Sequence, residues 1–270
     1  MNDAKELISC CWDSFEEMKK FYQQHRESCT GFNFSYSPKK SWDAMPSVLL
    51  LTYHPAPHKN ESPENPQPAP DRPWPGDNEL FKPDPWPNSL FPVRLLTMAA
   101  EIALRKEGID YTASMDNTAL EKFVNHNMVV ASFIPFRTTE PNKEDIHFSK
   151  EQYWGQILRI WQPKVILAAG DKPFAFVQDV LKGLGFAAPQ EQLIPVNTFP
   201  SDAIHGPCTM DYKYRVCRCT GQHRHPIHLL GVPSPSARGF CGYPRRSRPF
   251  PKGPAPIQEF LKTELEHIDI

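Results

Sequence analysis

Four short apolar runs constrain the fold of this chain more than any other feature of its sequence. We predict them to be strands at residues 47–52, 128–133, 164–169 and 227–232. A run that is apolar at nearly every position is typical of a strand buried on both faces of a sheet. Because helical patterns separate these runs, the sequence predicts a three-layer α/β/α fold around a short central parallel sheet.

Helical periodicity is clearest near the start of the chain, where Leu7, Cys11, Phe15 and Met18 recur at three- and four-residue steps and predict a helix at 4–25. Further elements are predicted as helices at 92–108, 151–161, 171–184 and 257–267, and as a short strand at 193–197. We find no internal repeat and no break that requires a second domain. We therefore expect a single domain over residues 1–270.

Residues 55–92 contain twelve prolines in 38 positions, which predicts irregular structure there. This stretch follows the strand predicted at 47–52, so we interpret it as a proline-rich insertion. A loop of this length within a compact domain is usually functional or disordered. Its aromatic residues favour an insertion that packs on the rest of the chain.

The net charge of -1 conceals an uneven distribution. Residues 212–256 contain nine Lys or Arg residues and no Asp or Glu, whereas the rest of the chain has 21 basic and 31 acidic residues. A segment with one sign of charge can neutralise phosphates and attract a polyanion. We interpret it as a DNA-facing segment; the alternative is a solvated basic loop.

Other properties exclude several classes of protein. No apolar run approaches the roughly 20 residues that span a bilayer, and the first residues lack the pattern of a signal peptide. The seven cysteines are irregularly spaced, which favours a reducing compartment over a disulfide framework. We expect a cytoplasmic protein that binds no membrane and needs no obligate protein partner.

Unusual residues follow three of the predicted strands, at the edge of a parallel sheet where ligand sites lie. These segments are Tyr53-His54-Pro55-Ala56, Ile134-Pro135-Phe136-Arg137 and Pro233-Ser234-Pro235-Ser236-Ala237-Arg238-Gly239-Phe240. In this order they resemble the motifs of the uracil-DNA glycosylase superfamily. The resemblance covers about residues 47–241 and rests on order and spacing. It implies a small parallel sheet between helices and a site that cleaves a base from DNA.

The resemblance also implies catalytic roles for His54 and Ser132. His54 stands where the family has an Asp or Asn that positions the attacking water, and Ser132 stands near the Asn that reads the base. Val232 replaces the His that stabilises the departing base. An imidazole titrates near neutrality and suits the positioning of water. The alternative for His54 is a structural role, donating to a backbone carbonyl.

The base pocket implied by the resemblance contains Tyr53, Pro55, Ala56, Asp77, Phe81 and Phe133. Ala56 takes the place of a bulky Tyr that, in uracil-specific relatives, excludes substituents at C5 of the pyrimidine. Alanine opens that side, unless the register is shifted by one or two residues. Phe81 is a candidate for stacking on the base or for a plain core role. Asp77 can hydrogen-bond a polyhydroxylated substituent.

The residues implied to bind DNA are Arg137, Ser234, Pro235, Ser236, Ala237, Arg238, Arg245 and Arg246. Hydroxyls and backbone amides commonly bind phosphates, and the family inserts this loop into the minor groove. For Arg137 the alternative is a surface salt bridge, and for the loop it is an ordinary turn.

Cysteines and histidines are frequent between Cys208 and His228, but their spacing is not that of a zinc site. We interpret the stretch as a structural β-hairpin, and we expect no metal and no cofactor.

Together these features lead us to expect a DNA glycosylase that acts on a flipped-out base, namely a modified pyrimidine with a bulky C5 group. Glucosylated hydroxymethylcytosine in double-stranded phage DNA is the natural example, which implies antiviral defence. The alternatives are a uracil or mismatch glycosylase of base excision repair, a non-catalytic DNA-binding module of the same fold, and, less favoured, a zinc-dependent nuclease.

Overall fold

A computed structural model of the chain describes residues 2–55, 61–62, 64–81, 98, 102, 117–195, 213–222, 224–234, 256–268 and 270. The strands are β1 (Gly31–Phe32), β2 (Val48–Thr52), β3 (Met128–Ser132), β4 (Phe136–Arg137), β5 (Val165–Ala169), β6 (Gln192–Pro195), β7 (Lys213–Cys219) and β8 (Ile227–Val232). The helices are α1 (Asn2–Gln24), α2 (Lys39–Asp43), α3 (Asn117–Asn127), α4 (Lys143–Phe148), α5 (Gly155–Ile160), α6 (Asp171–Gly183) and α7 (Pro256–Leu265).

The central sheet has six strands in the order β3-β2-β5-β8-β7-β6. The first four strands in that order are parallel, as the apolar runs predicted. Strand β7 runs antiparallel to both of its neighbours. The sheet is therefore mixed and mostly parallel, because β7 and β8 form a hairpin in which Cys219 lies opposite Ile227, within the stretch for which a hairpin was predicted.

Apolar side chains pack against both faces of the sheet. Leu49 and Leu51 belong to one core cluster together with Phe15 of α1. Val48 and Leu50, which point the opposite way, belong to a second cluster together with Phe260 of α7. Burial of each such side chain is worth about 1.5–3 kcal/mol relative to exposure. Helices on both faces of a mixed, mostly parallel sheet are compatible with a three-layer α/β/α arrangement.

The described part of the proline-rich insertion packs on the domain, as its aromatic residues predicted. Trp74 is buried and contacts Trp12 of α1 edge-to-face, with ring centroids 5.7 Å apart. The backbone N–H of Gln67 donates to the carbonyl of Thr30 at 2.8 Å. Within the described part of the insertion, helical structure consists of one 3₁₀ turn at Glu79–Phe81.

The outer edge of β3 is covered by the chain around Ser35–Ser37. The backbone N–H of Tyr36 donates to the carbonyl of Val130 at 3.0 Å. The N–H of Val130 donates in turn to the Ser37 hydroxyl oxygen at 2.9 Å. An uncovered strand edge invites pairing with another chain, and these bonds protect it. They also fix Tyr36 beside the end of β3.

A continuous helical stretch extends from α4 through a π-helical turn at Ser149–Trp154 into α5. It begins at a capping box in which Asn142 and Asp145 exchange side-chain and backbone hydrogen bonds. The helix predicted at 151–161 was therefore placed eight residues late, although the Asn142-x-x-Asp145 spacing is a recognised start signal. The hydrogen bonds of the π turn bring the carbonyl of Lys150 close to Gly155.

Most of the remaining predicted helices and strands are present in the structure. The helices at 4–25, 171–184 and 257–267 and the strand at 193–197 correspond to α1, α6, α7 and β6. The helix predicted at 92–108 lies largely outside the described residues. Met98 and Ile102 are the two residues of this range that the structure describes, and both are helical and buried. Helix α3 was not predicted. Among the described residues, none of the helices combines the length and the apolar character that crossing a membrane requires.

Candidate active site at the carboxyl edge of the sheet

The carboxyl ends of β2, β3, β5 and β8 meet at one edge of the sheet. Thr52 lies in register with Ser132, and Ala169 lies in register with Val232. Hydrogen bonding continues beyond the strands, because Ile134 donates to the carbonyl of Tyr53 at 2.9 Å. This edge therefore brings the predicted residues Tyr53 and His54, Ser132 and Phe133, and Ser234 to the ends of neighbouring strands.

His54 is half-buried at the end of β2, and its hydrogen bond determines its tautomer. Nδ1 lies 3.2 Å from the carbonyl oxygen of Pro55, which is the contact expected from the structural alternative for this residue. A carbonyl oxygen only accepts, so Nδ1 carries the proton and the neutral ring presents a lone pair at Nε2. Burial lowers the pKa of His54 below its ordinary value of 6.5, and the nearby charge of Lys172 lowers it further against the opposing effect of the Pro55 bond. Near neutral pH, His54 is thus a neutral imidazole that can accept a hydrogen bond at Nε2.

Lys172 is a residue of this site that the sequence reasoning missed. It lies in the first turn of α6, directly after the end of β5. Its Nζ lies 5.0 Å from the centroid of the Tyr53 ring, which in turn contacts the His54 ring edge-to-face at 4.7 Å. The available signal was its position, three residues after a predicted strand. Lys172 places a positive charge beside the imidazole.

Three hydroxyl groups lie together at the ends of β2 and β3. Ser132 Oγ is 3.0 Å from Tyr36 Oη and 3.1 Å from Thr52 Oγ1. Ser132 and Thr52 are buried, whereas Tyr36 is partly exposed. Sequence reasoning found Ser132 but missed its two partners. The structure thus places Ser132 within a hydroxyl string, which we define as Tyr36, Ser132 and Thr52.

The two phenylalanines predicted to line the pocket lie on different faces of the sheet. Phe133 is fully buried and belongs to the core cluster that contains Leu49, where its ring contacts Phe176 with centroids 5.4 Å apart. Phe81 is partly buried and packs against the cluster that contains Val48. They therefore do not form one stacking surface. Asp77 is exposed.

Arg137 lies in an ion pair within the domain. Its Nη1 is 2.6 Å from Glu61 Oε1, and its Nη2 donates to Asn33 Oδ1 at 2.9 Å. The side chains of Arg137 and Glu61 are 15% and 2% exposed, respectively. This placement matches the salt-bridge alternative, although the pair is largely buried rather than at the surface. It leaves little of the guanidinium accessible to a phosphate.

Ser234 follows the end of β8 and lies beside the turn between β5 and α6. A Cβ atom added at Gly170 would lie 3.8 Å from the Cβ of Ser234. Gly170 has a φ of 123°, which side-chain-bearing residues rarely adopt, so glycine is required at this turn. The other residues predicted for the pocket or for DNA binding lie outside the described residues: Ala56, Pro235, Ser236, Ala237, Arg238, Arg245 and Arg246.

Cys217 and Cys219 lie on β7 of the hairpin, as the alternating sequence predicted. Both are buried, with their Sγ atoms 3.7 Å apart. Burial and the adjacent Cys217 raise the pKa of Cys219 to about 12, so it stays a thiol at neutral pH. Within the described ranges, potential metal ligands do not gather in groups of three or more.

A comparison of the sequence with known proteins found no protein-family model that matches the chain and no matching curated protein.

Proposed function

We propose that this chain is a DNA glycosylase with a uracil-DNA-glycosylase-like fold. It cleaves the N-glycosidic bond of a flipped-out modified pyrimidine in double-stranded DNA and leaves an abasic site. One observation carries the proposal: a half-buried His54, neutral and with Nε2 as an acceptor, lies at the edge where four parallel strands end. The comparisons add neither support nor contradiction.

The chemistry requires a water molecule aligned with C1′ of the sugar, on the face opposite the base. As the bond from C1′ to the base nitrogen lengthens, its electron pair leaves with the base and the sugar gains oxocarbenium character. The water oxygen then bonds to C1′, and its proton passes to Nε2 of His54. The departing base takes a proton from solvent and the His54 imidazolium releases its proton to solvent, so charge and atoms balance. In this proposal His54 orients the water and accepts its proton.

Positive charge near the site serves the binding of DNA. Lys172 lies within the same group of side chains as Tyr53 and His54, and a lysine is a common phosphate ligand. Arg215, in the basic segment 212–256, is instead paired with Asp171 and Glu191. Contact with DNA through the basic segment therefore rests on its other cations, such as the exposed Lys213 and Arg218.

The proposed substrate is a base with a bulky C5 group, such as glucosylated hydroxymethylcytosine in phage DNA, and the proposed role is antiviral defence. This part rests on Ala56 in the place where related enzymes have a bulky residue. A small side chain next to C5 leaves space for a sugar substituent, and binding energy from that remote group can favour base expulsion.

The test is release of the base from three otherwise identical duplexes. They contain glucosylated hydroxymethylcytosine, uracil or unmodified cytosine, and abasic sites are detected as alkali-labile breaks. We expect breaks in the glucosylated duplex alone, lost in His54→Ala and retained in His126→Ala, which alters an exposed histidine of α3.

The other outcomes are equally informative. Breaks in the uracil duplex alone would mean ordinary base excision and a wrong interpretation of Ala56. DNA binding without breaks in any duplex would overturn the enzymatic proposal in favour of a binding module. Equal activity of His54→Ala and wild type would remove His54 from the chemistry.

A further inference from the structure

Lys172 lies where the four parallel strands end. It is exposed and belongs to the first turn of α6, which begins directly after β5. Strand β5 lies between β2 and β8 in the sheet, so Lys172 is within the carboxyl edge rather than at its margin. The turn before it is fixed, because Gly170 has a φ of 123° and its N–H donates to the carbonyl of Val232 at 2.7 Å. This turn therefore presents a primary amine at the candidate site.

Among the described residues, no carboxylate is paired with the amine of Lys172. Asp171, its neighbour in the chain, instead accepts from Nε of Arg215 at 2.9 Å. By contrast, Lys150 Nζ lies 2.7 Å from Asp179 Oδ2. A lysine in an ion pair must leave its partner before its nitrogen can form a bond, and Lys172 has no such partner to leave.

Lys172 and His54 contact the same aromatic ring. Nζ of Lys172 lies 5.0 Å from the centroid of the Tyr53 ring, and the His54 ring contacts Tyr53 edge-to-face at 4.7 Å. Phe176, one turn further along α6, also contacts Tyr53, with ring centroids 6.3 Å apart. The face of an aromatic ring attracts an ammonium group at such a distance. The contact holds the amine beside the imidazole that, in the proposed function, orients the water attacking C1′.

We propose that Lys172 gives this chain a second activity, the cleavage of the DNA strand at an abasic site through an imine with C1′. This inference rests on the proposed function, which puts C1′ of the target sugar beside His54. After the base has left, the sugar of an abasic site opens to an aldehyde at C1′. A lysine amine forms Schiff bases with such carbonyl groups. Lys172 is thus a catalytic nucleophile that acts after His54.

The step balances without an oxidant or a reductant. Nζ releases a proton to solvent and bonds to C1′, and the aldehyde oxygen leaves as water. The imine acidifies the hydrogens at C2′, one of which passes to water while its electron pair forms a double bond between C2′ and C3′. The C3′–O bond breaks, and its electron pair leaves with the phosphate. Hydrolysis of the imine then frees Lys172 and leaves an unsaturated aldehyde on one DNA end and a 5′-phosphate on the other.

The experiment starts from preformed abasic sites, so it does not depend on base release by this chain. One duplex carries a natural abasic site, and a matched duplex carries its tetrahydrofuran analogue, which has no aldehyde. Each is incubated with the full chain and sodium borohydride, which reduces the imine to a stable amine that joins protein and DNA. We expect a covalent complex with the natural site alone, and strand breaks without alkali when borohydride is left out. Mass spectrometry of the digested complex should place the sugar adduct on Lys172.

Two arginine variants separate the covalent step from phosphate binding. Lys172→Arg keeps a positive charge that can bind a phosphate, but a guanidinium does not form the imine, so the covalent complex should be lost. Lys150→Arg is the matched control, because Lys150 Nζ also lies over a ring, that of Phe176 at 4.8 Å, but is paired with Asp179. This control should form as much covalent complex as the wild type. Thermal melting checks that both variants are folded.

The failures of the two proposals are distinguishable. No covalent complex with the wild type, an undiminished complex in Lys172→Arg, or an adduct on another residue would overturn the inference, and base release from a modified duplex would still support the proposed function. Trapping and strand breaks at preformed sites, with no base release from any duplex, would instead overturn the proposed function and leave Lys172 as the nucleophile of an abasic-site lyase.

Discussion

Breaking the ion pair between Arg137 and Glu61 should destabilise the fold without affecting the intrinsic DNA affinity of the folded protein. The two side chains are 15% and 2% exposed, and Nη1 lies 2.6 Å from Oε1. Removing Arg137 takes the paired positive charge from buried Glu61, which keeps its hydrogen bond from Thr30 Oγ1 at 3.1 Å, and removing one partner of a buried pair costs about 3–5 kcal/mol. Arg137→Met also removes the hydrogen bond to Asn33. We therefore expect Arg137→Met to lower the free energy of unfolding by about 3–5 kcal/mol.

A surface pair of the same length provides the matched control. Lys20 Nζ also lies 2.6 Å from Glu17 Oε1, but those side chains are 63% and 52% exposed. Water and salt screen such a pair, so Lys20→Met should leave the unfolding transition unchanged. Comparing the two substitutions separates the effect of burial from that of distance.

The measurement is urea unfolding followed by tryptophan fluorescence, with DNA affinity measured by anisotropy under folding conditions. The double variant Glu61→Gln with Arg137→Met should lose less stability than the sum of the two single changes, because it leaves no unpaired charge. If Arg137→Met proves too unstable, Arg137→Lys retains the charge and supplies the affinity measurement. The reasoning fails if Arg137→Met is as stable as the wild type but binds DNA more weakly, with a salt dependence reduced by about one phosphate contact.

Three further changes test the site and the packing around it. Base release should require neutral His54, so its rate should rise with pH through a midpoint below 6.5 and then level off; a midpoint above 6.5 would contradict the lowered pKa. Lys172→Met removes a charge that lowers this pKa, so the midpoint should move upward in the same pH series, and an unchanged midpoint would exclude the coupling. Gly231→Ala would place a Cβ 2.7 Å from Cδ2 of Phe174 and should cost about 1–3 kcal/mol in urea unfolding. Gly183→Ala meets nothing within 4 Å and should be neutral or slightly stabilising; similar losses from both glycines would refute the steric argument.

The strands could be predicted from the sequence because a strand buried on both faces has apolar residues at nearly every position. The strand expected at 164–169 is observed as Val165–Ala169, with every residue buried. A hairpin was predicted for the stretch between Cys208 and His228, but the sequence did not show that β7 adds an antiparallel strand to the central sheet. A strand at the side of a sheet needs similar side chains whether it runs parallel or antiparallel to its neighbour. The direction of β7 therefore depends on the connection between β7 and β8.

The first half of the long helical stretch escaped prediction because its apolar period changes. From Phe148 the next buried aromatic is Tyr153, five residues later, and Gln152 at the four-residue step is exposed. The π turn absorbs this extra residue and restores the ordinary step to Ile157. A search for helical periodicity therefore detects only the part after the turn. The turn also aligns Trp154, whose indole N–H donates to the carbonyl of Phe133 at 2.8 Å behind the candidate site.

Residues at strand ends can be identified from the sequence, but their hydrogen-bond and ion-pair partners cannot. Ser132 and His54 could be singled out because Ser132 lies at the end of a recognisable strand and His54 follows one. Tyr36 bonds Ser132 from 96 positions away, and Glu61 pairs with Arg137 from 76 positions away, and both lie in stretches without periodicity. A single sequence carries no signal for such pairings, because many polar residues would satisfy the same pattern.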